Sequence, residues 1–486
     1  MVPRSRAAET RRRAVRVETR RRTVETRRRA VRAEPRRRAF RAGAACLAAA
    51  ALALTAACGT RLPSRDFTAP PTAAPTGTGG AAPIRVGVIT SATSPVGGDT
   101  FVGPRDGAEA YFARLDAHGG INGHPVTVVT CDDGGSGVGD TSCAHRLVDQ
   151  DKVFALVATT ALDYAAAPYV SAHDVPDIGG QPLGTAYDTY PHLYGIYGSD
   201  APRDGATGWH GTLVAGTEVY RYFKQEQHAR TAAVVYYNQA DSARYANQVV
   251  RGLRTEGYRV VPEEADFALP DFSAVAADLR AHHVDILFDA LDTGGNSQLC
   301  KAMQAAHVTV AAKVTNVQNW DSNVPSAYAG APGCRRALWV TGSSRDYDDT
   351  ANPQVAAFRS GMAAYRAAHG GSPSYLSQWQ LEGWAAGMWL RDALSGCPAP
   401  GTTTGSVGAA RACVERFMNR PQGYDAHGLL LPATFHSLPA PPRTARDCLS
   451  VARWEPGADG GRGGWVPQGP DMTRNCFTVP QLPYKP

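Results

Sequence analysis

The chain has 486 residues, of which 43% are hydrophobic and 19% charged, so its length and composition allow two or three folded lobes with sizeable cores. Its formal net charge of +6 is unevenly distributed. Residues 1–41 hold 17 Arg and 4 Glu, whereas the remaining residues hold 33 Lys or Arg and 40 Asp or Glu, a net charge of −7. The body of the protein is therefore mildly acidic, and a basic surface for nucleic acid has no support outside the N-terminal segment.

The N-terminal segment contains an arginine-rich repeat followed by a short apolar run. Glu followed by Thr or Pro and three arginines occurs at positions 9, 18, 25 and 34, and such a basic arm could bind nucleic acid or anionic lipid. The run AACLAAAALALTAAC at 44–58 favours another interpretation, because a charged region, a short apolar region and small residues before a cut site form a secretory signal. The apolar run is shorter than the roughly 20 residues that a membrane span needs. We predict a signal peptide over residues 1–57, in which the arginine repeat is either a long charged region or the product of a mis-assigned start.

Cys58 follows small residues that resemble a bacterial lipobox, the signal after which a diacylglycerol is attached to cysteine and the leader is cut. The match is incomplete, because Leu54 lies four residues before the cysteine and Thr55 occupies the position usually held by leucine. We expect the mature chain to begin at lipidated Cys58, which would anchor it to the outer face of the cell membrane. Residues 58–83 are rich in Pro, Thr, Ala and Gly, so they predict a flexible tether before a folded body that starts near Ile84.

The stretch GGINGHPVTVV at 119–129 marks the end of a predicted helix and the beginning of a strand. Upstream, apolar residues at 108, 111, 112 and 115 have the i, i+3, i+4 and i+7 spacing of one helix face. Gly119 stands where a helix end needs a positive φ, and Asn122-Gly123 is a tight-turn signal. The expected order is therefore helix, stop, turn and strand.

Six short apolar runs predict strands that are buried on both faces of parallel sheets. They are VFALVA, VPDIG, TAAVVYY, YRVV, VDILFDA and ALWVT, at 153–158, 175–179, 231–237, 258–261, 284–290 and 337–341. Helical patterns separate the runs, most clearly at 240–256, where an apolar stripe is followed by Gly257 as a stop. Alternating strands and helices indicate an α/β fold with right-handed crossovers.

Eight of the ten cysteines lie in the expected body, and an even number in an exported chain indicates disulfides. Many connectivities are open, and no two of these cysteines have the C-x-x-C spacing of a metal site. Pairing neighbours in sequence predicts the bonds Cys131–Cys143, Cys300–Cys334, Cys397–Cys413 and Cys448–Cys476. The segment 397–413 is interpreted as a surface loop closed by its disulfide, and LLLPATFHS at 429–437 and CLSVARWEPG at 448–457 as strands.

A family pattern runs through most of the body. Its first half comprises GGINGHPVTVVTCDDGGS, CAHRLVDQDKVFALVA and AAAPYVSAHDVPDIGG, at 119–136, 143–158 and 165–180. Its second half comprises AAVVYYNQADSARYANQVVRGLRTEGYRVV, DFSAVAADLRAHHVDILFDAL and LEGWAAGMWLRDAL, at 232–261, 271–291 and 381–394. These segments resemble the type I periplasmic binding proteins of the leucine/isoleucine/valine-binding family, the extracytoplasmic receptors of ABC importers. The resemblance covers residues 84–395 well and the remainder loosely.

The resemblance implies two doubly wound, Rossmann-like lobes joined by a hinge of three chain crossings, with the ligand in the cleft between them. We expect residues 84–204 and 335–440 in lobe 1, and residues 205–334 and 441–486 in lobe 2. Ligands of open α/β sheets bind beyond the carboxyl ends of the strands, so the loops after the strands are the candidate sites.

In lobe 1 the resemblance implies ligand contacts in two such loops. Thr159 and Thr160 follow the strand VFALVA and would hold a ligand carboxylate or carbonyl, although threonines there could equally cap the next helix. Gly180 and Gln181 follow VPDIG, where the family usually has small hydroxyl-bearing residues. Ala158-Thr159 also replaces the usual Gly-Pro, so the identity of the ligand stays open.

In lobe 2 the resemblance implies aromatic and acidic contacts. Tyr236 and Tyr245 are the aromatic candidates, although an aromatic in this region is more often part of a core. Asp289 and Asp292 could pair with a ligand ammonium or be ordinary loop aspartates. Trp320 could stack on a ligand or fill the lobe.

The function classes follow from the motifs that are present and absent. The sequence has no G-x-S-x-G, H-E-x-x-H or G-x-x-x-x-G-K-[ST] motif, so we expect no enzyme, no metal and no cofactor. The resemblance implies a monomeric solute-binding lipoprotein that captures a small polar ligand (amino acid, amide or peptide-like) and delivers it to ABC permease and ATPase subunits. The alternatives are a lipoprotein sensor for a separate signalling partner and, less favoured, a secreted hydrolase.

Overall fold

The computed structural model describes residues 81–95, 97–371, 375–401 and 404–485, which all belong to a unit that begins at Thr78. The predicted signal peptide, Cys58 and the tether up to residue 80 lie outside the described residues. None of the described helices combines the length and the apolar character needed to cross a lipid bilayer.

The described residues contain sixteen β-strands. In chain order they are β1 Ile84–Thr90, β2 Val126–Asp132, β3 Ala155–Val157, β4 Asp177–Gly180, β5 Leu193–Gly195, β6 Leu213–Ala215, β7 Thr231–Tyr237, β8 Arg259–Ala265, β9 Ile286–Ala290, β10 Ala312–Thr315, β11 Leu338–Gly342, β12 Thr444–Cys448, β13 Ser450–Glu455, β14 Gly464–Pro467, β15 Cys476–Pro480 and β16 Leu482–Tyr484.

The described α-helices lie mainly between the strands. In chain order they are α1 Gly98–Phe101, α2 Gly103–Asp116, α3 Gly137–His145, α4 Ala167–Ala172, α5 Glu218–Glu226, α6 Ala240–Thr255, α7 Phe272–Ala281, α8 Thr293–Ala305, α9 Val324–Ala327, α10 Pro332–Arg336, α11 Pro353–His369, α12 Gln378–Ser395, α13 Thr404–Met418 and α14 Ala458–Gly461. A short π turn, Arg146–Gln150, and the 3₁₀ turns Ala186–Asp188, Val317–Asn319 and Ala426–Gly428 complete the helical segments.

Two larger sheets form the centres of two lobes. The first has five parallel strands in the order β2-β1-β3-β4-β5. The second has seven strands in the order β14-β13-β11-β10-β9-β7-β8, in which β7 to β11 are parallel, β13 pairs antiparallel with β11, and β14 pairs antiparallel with β13. The predicted α/β fold with two doubly wound lobes is therefore confirmed.

The apolar runs form strands because helices cover both faces of each sheet. In β7, six of the seven residues are buried, as expected for a central strand of a parallel sheet. The preceding prediction of helix, stop and turn is also confirmed. Helix α2 ends at Asp116, Gly119 and Gly120 adopt φ values of 100° and 71°, and Asn122 adopts a φ of 52°.

The chain passes between the two lobes three times, after β5, after β11 and in the segment between Phe435, which still packs on the first lobe, and β13 in the second sheet. The second passage occurs later than the expected boundary at residue 335. Strand Leu338–Gly342 pairs with Ala312–Thr315 in the second sheet, so this part of the segment assigned to lobe 1 lies in lobe 2. Its apolar side chains complete the second core, where Trp339 packs edge-on against Phe223. The other lobe boundaries remain a prediction.

Helix α12 packs against α2 through two glycines. A Cβ at Gly107 would lie 1.9 Å from the carbonyl oxygen of Gln380, and a Cβ at Gly383 would lie 2.0 Å from the carbonyl oxygen of Pro104. Only glycine permits such a backbone approach. The contact fixes the first turn of α12 against the first lobe, and this turn leads into the candidate site.

The structure contains the four predicted disulfides, Cys131–Cys143, Cys300–Cys334, Cys397–Cys413 and Cys448–Cys476. The interpretation of 397–413 as a surface loop is wrong, because Cys413 lies within helix α13. Ala410, Val414 and Met418 are buried at helical spacing, and they hold this segment on the first-lobe core.

Two strand predictions remain, both in the last part of the chain, and one is confirmed while the other is wrong. CLSVARWEPG contains strand β13, as predicted. LLLPATFHS forms no strand, and only isolated bridges occur there, between Leu430 and Ser344 and between Ala433 and Tyr424. Leu429, Leu430 and Phe435 are instead buried as packing residues of the first lobe.

Candidate functional site

A cavity of about 740 Å³ lies where the carboxyl ends of strands from the two sheets meet, and we refer to it as the cleft. Its lining includes the loops after β4, β9, β10 and β11, at residues 182–185, 289–292, 314–318 and 341–343. Side chains on α1, α6 and α12 and the last strand, β16, complete it. Ligands of open α/β sheets bind in this position, at the carboxyl ends of the strands.

Aromatic side chains from both lobes face the cleft. On the first-lobe side, the rings of Phe101 and Trp379 pack with their centroids 5.7 Å apart. On the second-lobe side, Tyr237 packs edge-on against Phe267 at 5.3 Å. Tyr245 on α6 also lines the cleft and is 44% exposed. The walls therefore offer large apolar surfaces to a bound molecule.

Asp292 presents a carboxylate at the start of helix α8. Its Oδ1 accepts hydrogen bonds from the hydroxyl of Tyr237 and from the backbone N–H of Gly295, each at 2.9 Å. Burial, followed by the charge of Asp292, raises the pKa of Tyr237, so its hydroxyl keeps its proton and remains a donor. Asp292 thus caps a helix and contributes negative charge to the cleft at the same time.

Asp289 is also in the lining, but its charge is already compensated. Lys313 Nζ lies 2.6 Å from Asp289 Oδ2, and both side chains are fully buried. Asn296 Nδ2 and Thr315 Oγ1 donate to Asp289 Oδ1 at 3.0 and 3.3 Å. A carboxylate with this set of partners is a structural anchor of β9 and β10, and it is a poor partner for a further cation.

Beneath the first-lobe wall lies a second buried carboxyl group, that of Glu382 on α12. Ser344 Oγ, Gln181 Nε2 and Tyr197 Oη donate to it at 2.6, 2.8 and 3.0 Å. Burial raises the pKa of Glu382 to about 7, against the opposing effect of these donors. Because Gln181 and Tyr197 follow first-sheet strands and Ser344 follows β11, this group joins the two lobes where the chain crosses between them.

The predicted first-lobe residues lie close to the cleft, but they are engaged in the protein interior. Thr159 Oγ1 donates to Asp177 at 3.0 Å, and Thr160 Oγ1 donates to the carbonyl oxygen of Ala158 at 3.0 Å. Both threonines are buried and neither lines the cleft. Gln181 is bound to Glu382 as described, and at Gly180 a Cβ would lie 1.7 Å from the hydroxyl of Tyr187.

The predicted second-lobe residues are divided. Tyr245, Asp289 and Asp292 line the cleft together. Tyr236 is paired across the strands with Glu264 and is not in the lining, and Trp320 is fully buried with its ring 6.3 Å from that of Trp465.

Several residues that line the cleft could not have been identified from sequence patterns. They include Phe101, Tyr197, Trp379 and Tyr484. Trp379 lies in the first turn of a helix that is buried over most of its length, and Tyr484 lies in the final residues, far from any family motif. Only the pairing of β16 with β6 brings Tyr484 to the cleft.

Metal chemistry has no support in the described part of the chain, where no group of three or more His, Cys, Asp or Glu side chains is arranged to hold a metal ion. The carboxyl groups of the cleft are single aspartates with protein partners. The arrangement can therefore bind and orient a small molecule through apolar contact and a few polar groups.

Two doubly wound lobes with a cleft between them define a class of two-lobed ligand-binding proteins. The chain belongs to the periplasmic binding protein family, whose model matches residues 83–461. Its fold is the type I fold that solved leucine- and branched-chain amino acid-binding proteins share, so the predicted resemblance is confirmed. Membership in this family implies an extracytoplasmic ligand-binding protein.

Individual relatives agree with this assignment. An amino acid binding protein of Pseudomonas aeruginosa is 26% identical over 233 residues, which cover 42% of this chain and 59% of that protein. A Rhodopseudomonas palustris solute binding protein solved with benzoate is 16% identical with a TM-score of 0.57, covering 82% of this chain and 97% of its own. A Streptococcus pneumoniae branched-chain amino acid transporter substrate binding protein solved with isoleucine is 14% identical with a TM-score of 0.56, covering 79% and 100%. At these identities the solved structures show the shared fold.

Proposed function

We propose that this chain captures a small polar ligand, of the amino acid, amide or peptide-like kind, in the cleft and delivers it to the permease and ATPase subunits of an ABC importer. The proposed activity is binding and not catalysis. The observation that carries the proposal is the pair of large side chains, Tyr245 and Phe267, which line the cleft while 44% and 43% exposed. Exposed apolar surface beside a cavity is typical of ligand-contact regions.

The chemistry of the cleft supports a ligand with an apolar body and charged ends. Isoleucine and benzoate, the ligands of two structural relatives, each join an apolar body to a carboxylate. The aromatic walls suit such a body, and Arg244 supplies a positive charge in the lining. Asp292 is the better of the two predicted acids for a ligand ammonium, because Asp289 already pairs with Lys313.

The ligand is identified by a thermal-shift screen of the exported chain with its disulfides intact. The panel comprises amino acids, amides, short peptides, aromatic carboxylates, polyamines and sugars. A ligand that binds only the folded state adds about 2.7 kcal/mol of stability at one hundred times its dissociation constant. We expect one chemical class to raise the melting temperature. A panel without any such rise, together with no heat of binding by calorimetry, would contradict the proposal.

A matched pair of variants ties the binding to the cleft. Tyr245→Ala removes a partly exposed ring from the lining, whereas Tyr236→Ala removes a ring that lies outside it. We expect the first variant to weaken binding of the screened ligand about tenfold, roughly 1.4 kcal/mol, and the second to leave it unchanged. Equal effects of the two substitutions would mean that the ligand binds outside the cleft.

Membrane anchoring through Cys58 is a separate part of the proposal, supported by the apolar run and small residues before it. Cells that express the chain are fed a labelled fatty acid. We expect label on the unchanged chain in the membrane fraction, and release of an unlabelled Cys58→Ser chain. An unmodified N-terminus, or label that persists in the variant, would refute lipidation at this residue.

Delivery to an importer is tested in whole cells. We expect cells that lack the chain to lose uptake of the screened ligand at low concentration, and cells that carry Tyr245→Ala to take it up more slowly. Unchanged uptake in both strains, with binding intact in solution, would favour the sensor alternative over transport.

A further inference from the structure

The C-terminal segment supplies part of the cleft, although it lies beyond the residues that match the family model, 83–461. Strand β16 pairs antiparallel with β6, with Leu482 opposite Ala215 and Tyr484 opposite Leu213. The disulfide Cys448–Cys476 joins the two strands before it, β12 and β15. These strand pairs attach the C-terminal segment to the body, and the segment places the ring of Tyr484 in the cleft wall.

A second cavity lies next to the cleft, beside the C-terminal segment. It has a volume of about 450 Å³ and lies between α6 and the residues after Pro483, and we refer to it as the basic groove. Arg244, Gln248 and Tyr484 line both the cleft and the basic groove, so the two cavities share a wall. None of these three shared side chains is fully buried, so a molecule held in the cleft can extend past them into the groove.

The basic groove carries cations without a carboxylate among the described residues that line it. Its charged side chains are Arg244, Arg251 and Lys485. Arg251 donates to the carbonyl oxygen of Pro483, and Lys485 Nζ donates to Thr212 Oγ1 at 3.1 Å. These two partners are neutral, so the charges of Arg251 and Lys485 are positioned but not neutralised by them. Amide groups of Asn247 and Gln248 add further polar contacts.

In the cleft, by contrast, Asp292 presents a carboxylate and aromatic rings form the walls. A ligand that satisfies both cavities has an apolar body for the cleft and an oxyanion at one end for the groove. Guanidinium groups hold oxyanions such as carboxylates and phosphonates with paired hydrogen bonds. A free α-amino acid with its charges on one carbon does not present this separation.

We propose that the basic groove is a second subsite of the cleft, and that the ligand is an elongated molecule with an aromatic or apolar body and a terminal oxyanion bound by Arg251 and Lys485. This inference rests on the proposed function, because it names the class of molecule that the same cleft captures. It assigns a specificity-determining role to the C-terminal segment of this chain.

The test uses benzoyl-capped glycine peptides of one to three glycines, each as the free acid and as the terminal amide, titrated by calorimetry against the exported chain. We expect the acid to bind at least tenfold more tightly than its amide once the peptide is long enough to reach the groove. The preference should shrink between 50 and 500 mM salt, because screening weakens exposed charge pairs. A phosphonate in place of the terminal carboxylate distinguishes the two kinds of oxyanion.

Variants separate this subsite from the cleft. Arg251→Gln combined with Lys485→Gln should lower the acid's affinity to that of its amide. Arg254→Gln is the matched control, because Arg254 is exposed on the same helix but lies outside the groove. Equal binding of acids and amides by the unchanged chain overturns the subsite and leaves the proposed function standing. Binding of no member of the series overturns this ligand class, whereas the proposed function fails only with the wider screen.

Discussion

The two walls of the cleft use the carboxyl ends of their strands differently. In the first lobe, the polar residues after the strands point inward, where Thr159 donates a hydrogen bond to Asp177 and Gln181 donates one to Glu382. In the second lobe, Asp292 and Tyr245 face the cleft. The position of a loop at the end of a strand therefore predicts that it borders the site. Whether its side chains are available to a ligand depends on which buried groups need partners.

The reason for the difference is the cost of burying charge. Asp177 is fully buried in β4 and accepts hydrogen bonds from Thr159, Tyr164 and Tyr187, at 3.0, 2.7 and 2.9 Å. Burial still raises the pKa of Asp177 to about 6. A buried carboxylate needs several donors, so the nearest strand-end hydroxyls are used for stability in the first lobe.

The largest expected effect tests the buried ion pair that holds the second-lobe wall. Lys313→Met leaves Asp289 buried without its cation, and we expect a loss of about 3–5 kcal/mol in the free energy of unfolding. Chemical denaturation measures this loss. The double variant Lys313→Met with Asp289→Leu is the control, because it removes both charges and should recover most of the stability. A single variant as stable as the unchanged chain would show that the pair has no structural role.

The next effect concerns the pH dependence at Glu382, which joins the lobes. Its pKa is raised from 4.5 to about 7, so the stability associated with the protonated group is complete below pH 4.5 and is lost as the pH rises through 7. The loss amounts to roughly 3 kcal/mol. We expect Glu382→Gln to flatten the stability profile between pH 4.5 and 7 by this amount, as measured by denaturation at each pH. An unchanged slope in the variant would assign the pH dependence to other buried carboxyls.

A smaller effect distinguishes structure from binding in the first-lobe wall. Thr159→Val removes one donor from Asp177, and we expect a loss of about 1–3 kcal/mol in the free energy of unfolding. Tyr164→Phe removes another donor from the same carboxylate and should cost a similar amount. Ligand affinity, measured by calorimetry under conditions where both variants are folded, should stay unchanged. If only Thr159→Val bound the ligand more weakly, Thr159 would be a ligand contact after all.

The smallest expected effect on stability, and the sharpest on binding, is at Asp292. Asp292→Asn keeps an oxygen that can cap helix α8, so the free energy of unfolding should change by only a few tenths of a kcal/mol. The cleft loses a negative charge. We expect the affinity for a ligand with an ammonium group to fall about tenfold and that for its uncharged analogue to stay the same. Equal changes for both ligands would mean that Asp292 does not face the ammonium.

The α/β architecture and the disulfides could be predicted from the sequence because they depend on local patterns. Short apolar runs, the glycine stop at Gly119 and the spacing of neighbouring cysteines are each visible within a few tens of residues. Helix α13 could also have been predicted from the sequence, since its buried residues Ala410, Val414 and Met418 have helical spacing. The Gly- and Thr-rich sequence before them favoured a loop, and packing against the first lobe decided the outcome.

The direction of side chains at the cleft could not be predicted in the same way. Thr159 is turned inward by Asp177, a residue of the next strand, and Lys313 reaches Asp289 from a neighbouring strand. Tyr484 comes to the cleft through a strand pair that joins residues about 270 positions apart. Such placements depend on the assembled sheets, and no short window of sequence contains both partners.

The glycine contact between α2 and α12 has a consequence for how this chain can vary. At Gly107 and Gly383 even a methyl group would meet a backbone carbonyl, and a backbone carbonyl cannot rotate away as a side chain can. Gly396, at the end of the same helix, has open space around its Cβ position and a φ of −97° that other residues adopt. The end of this helix can therefore accept a side chain at Gly396, whereas the crossing point excludes even alanine.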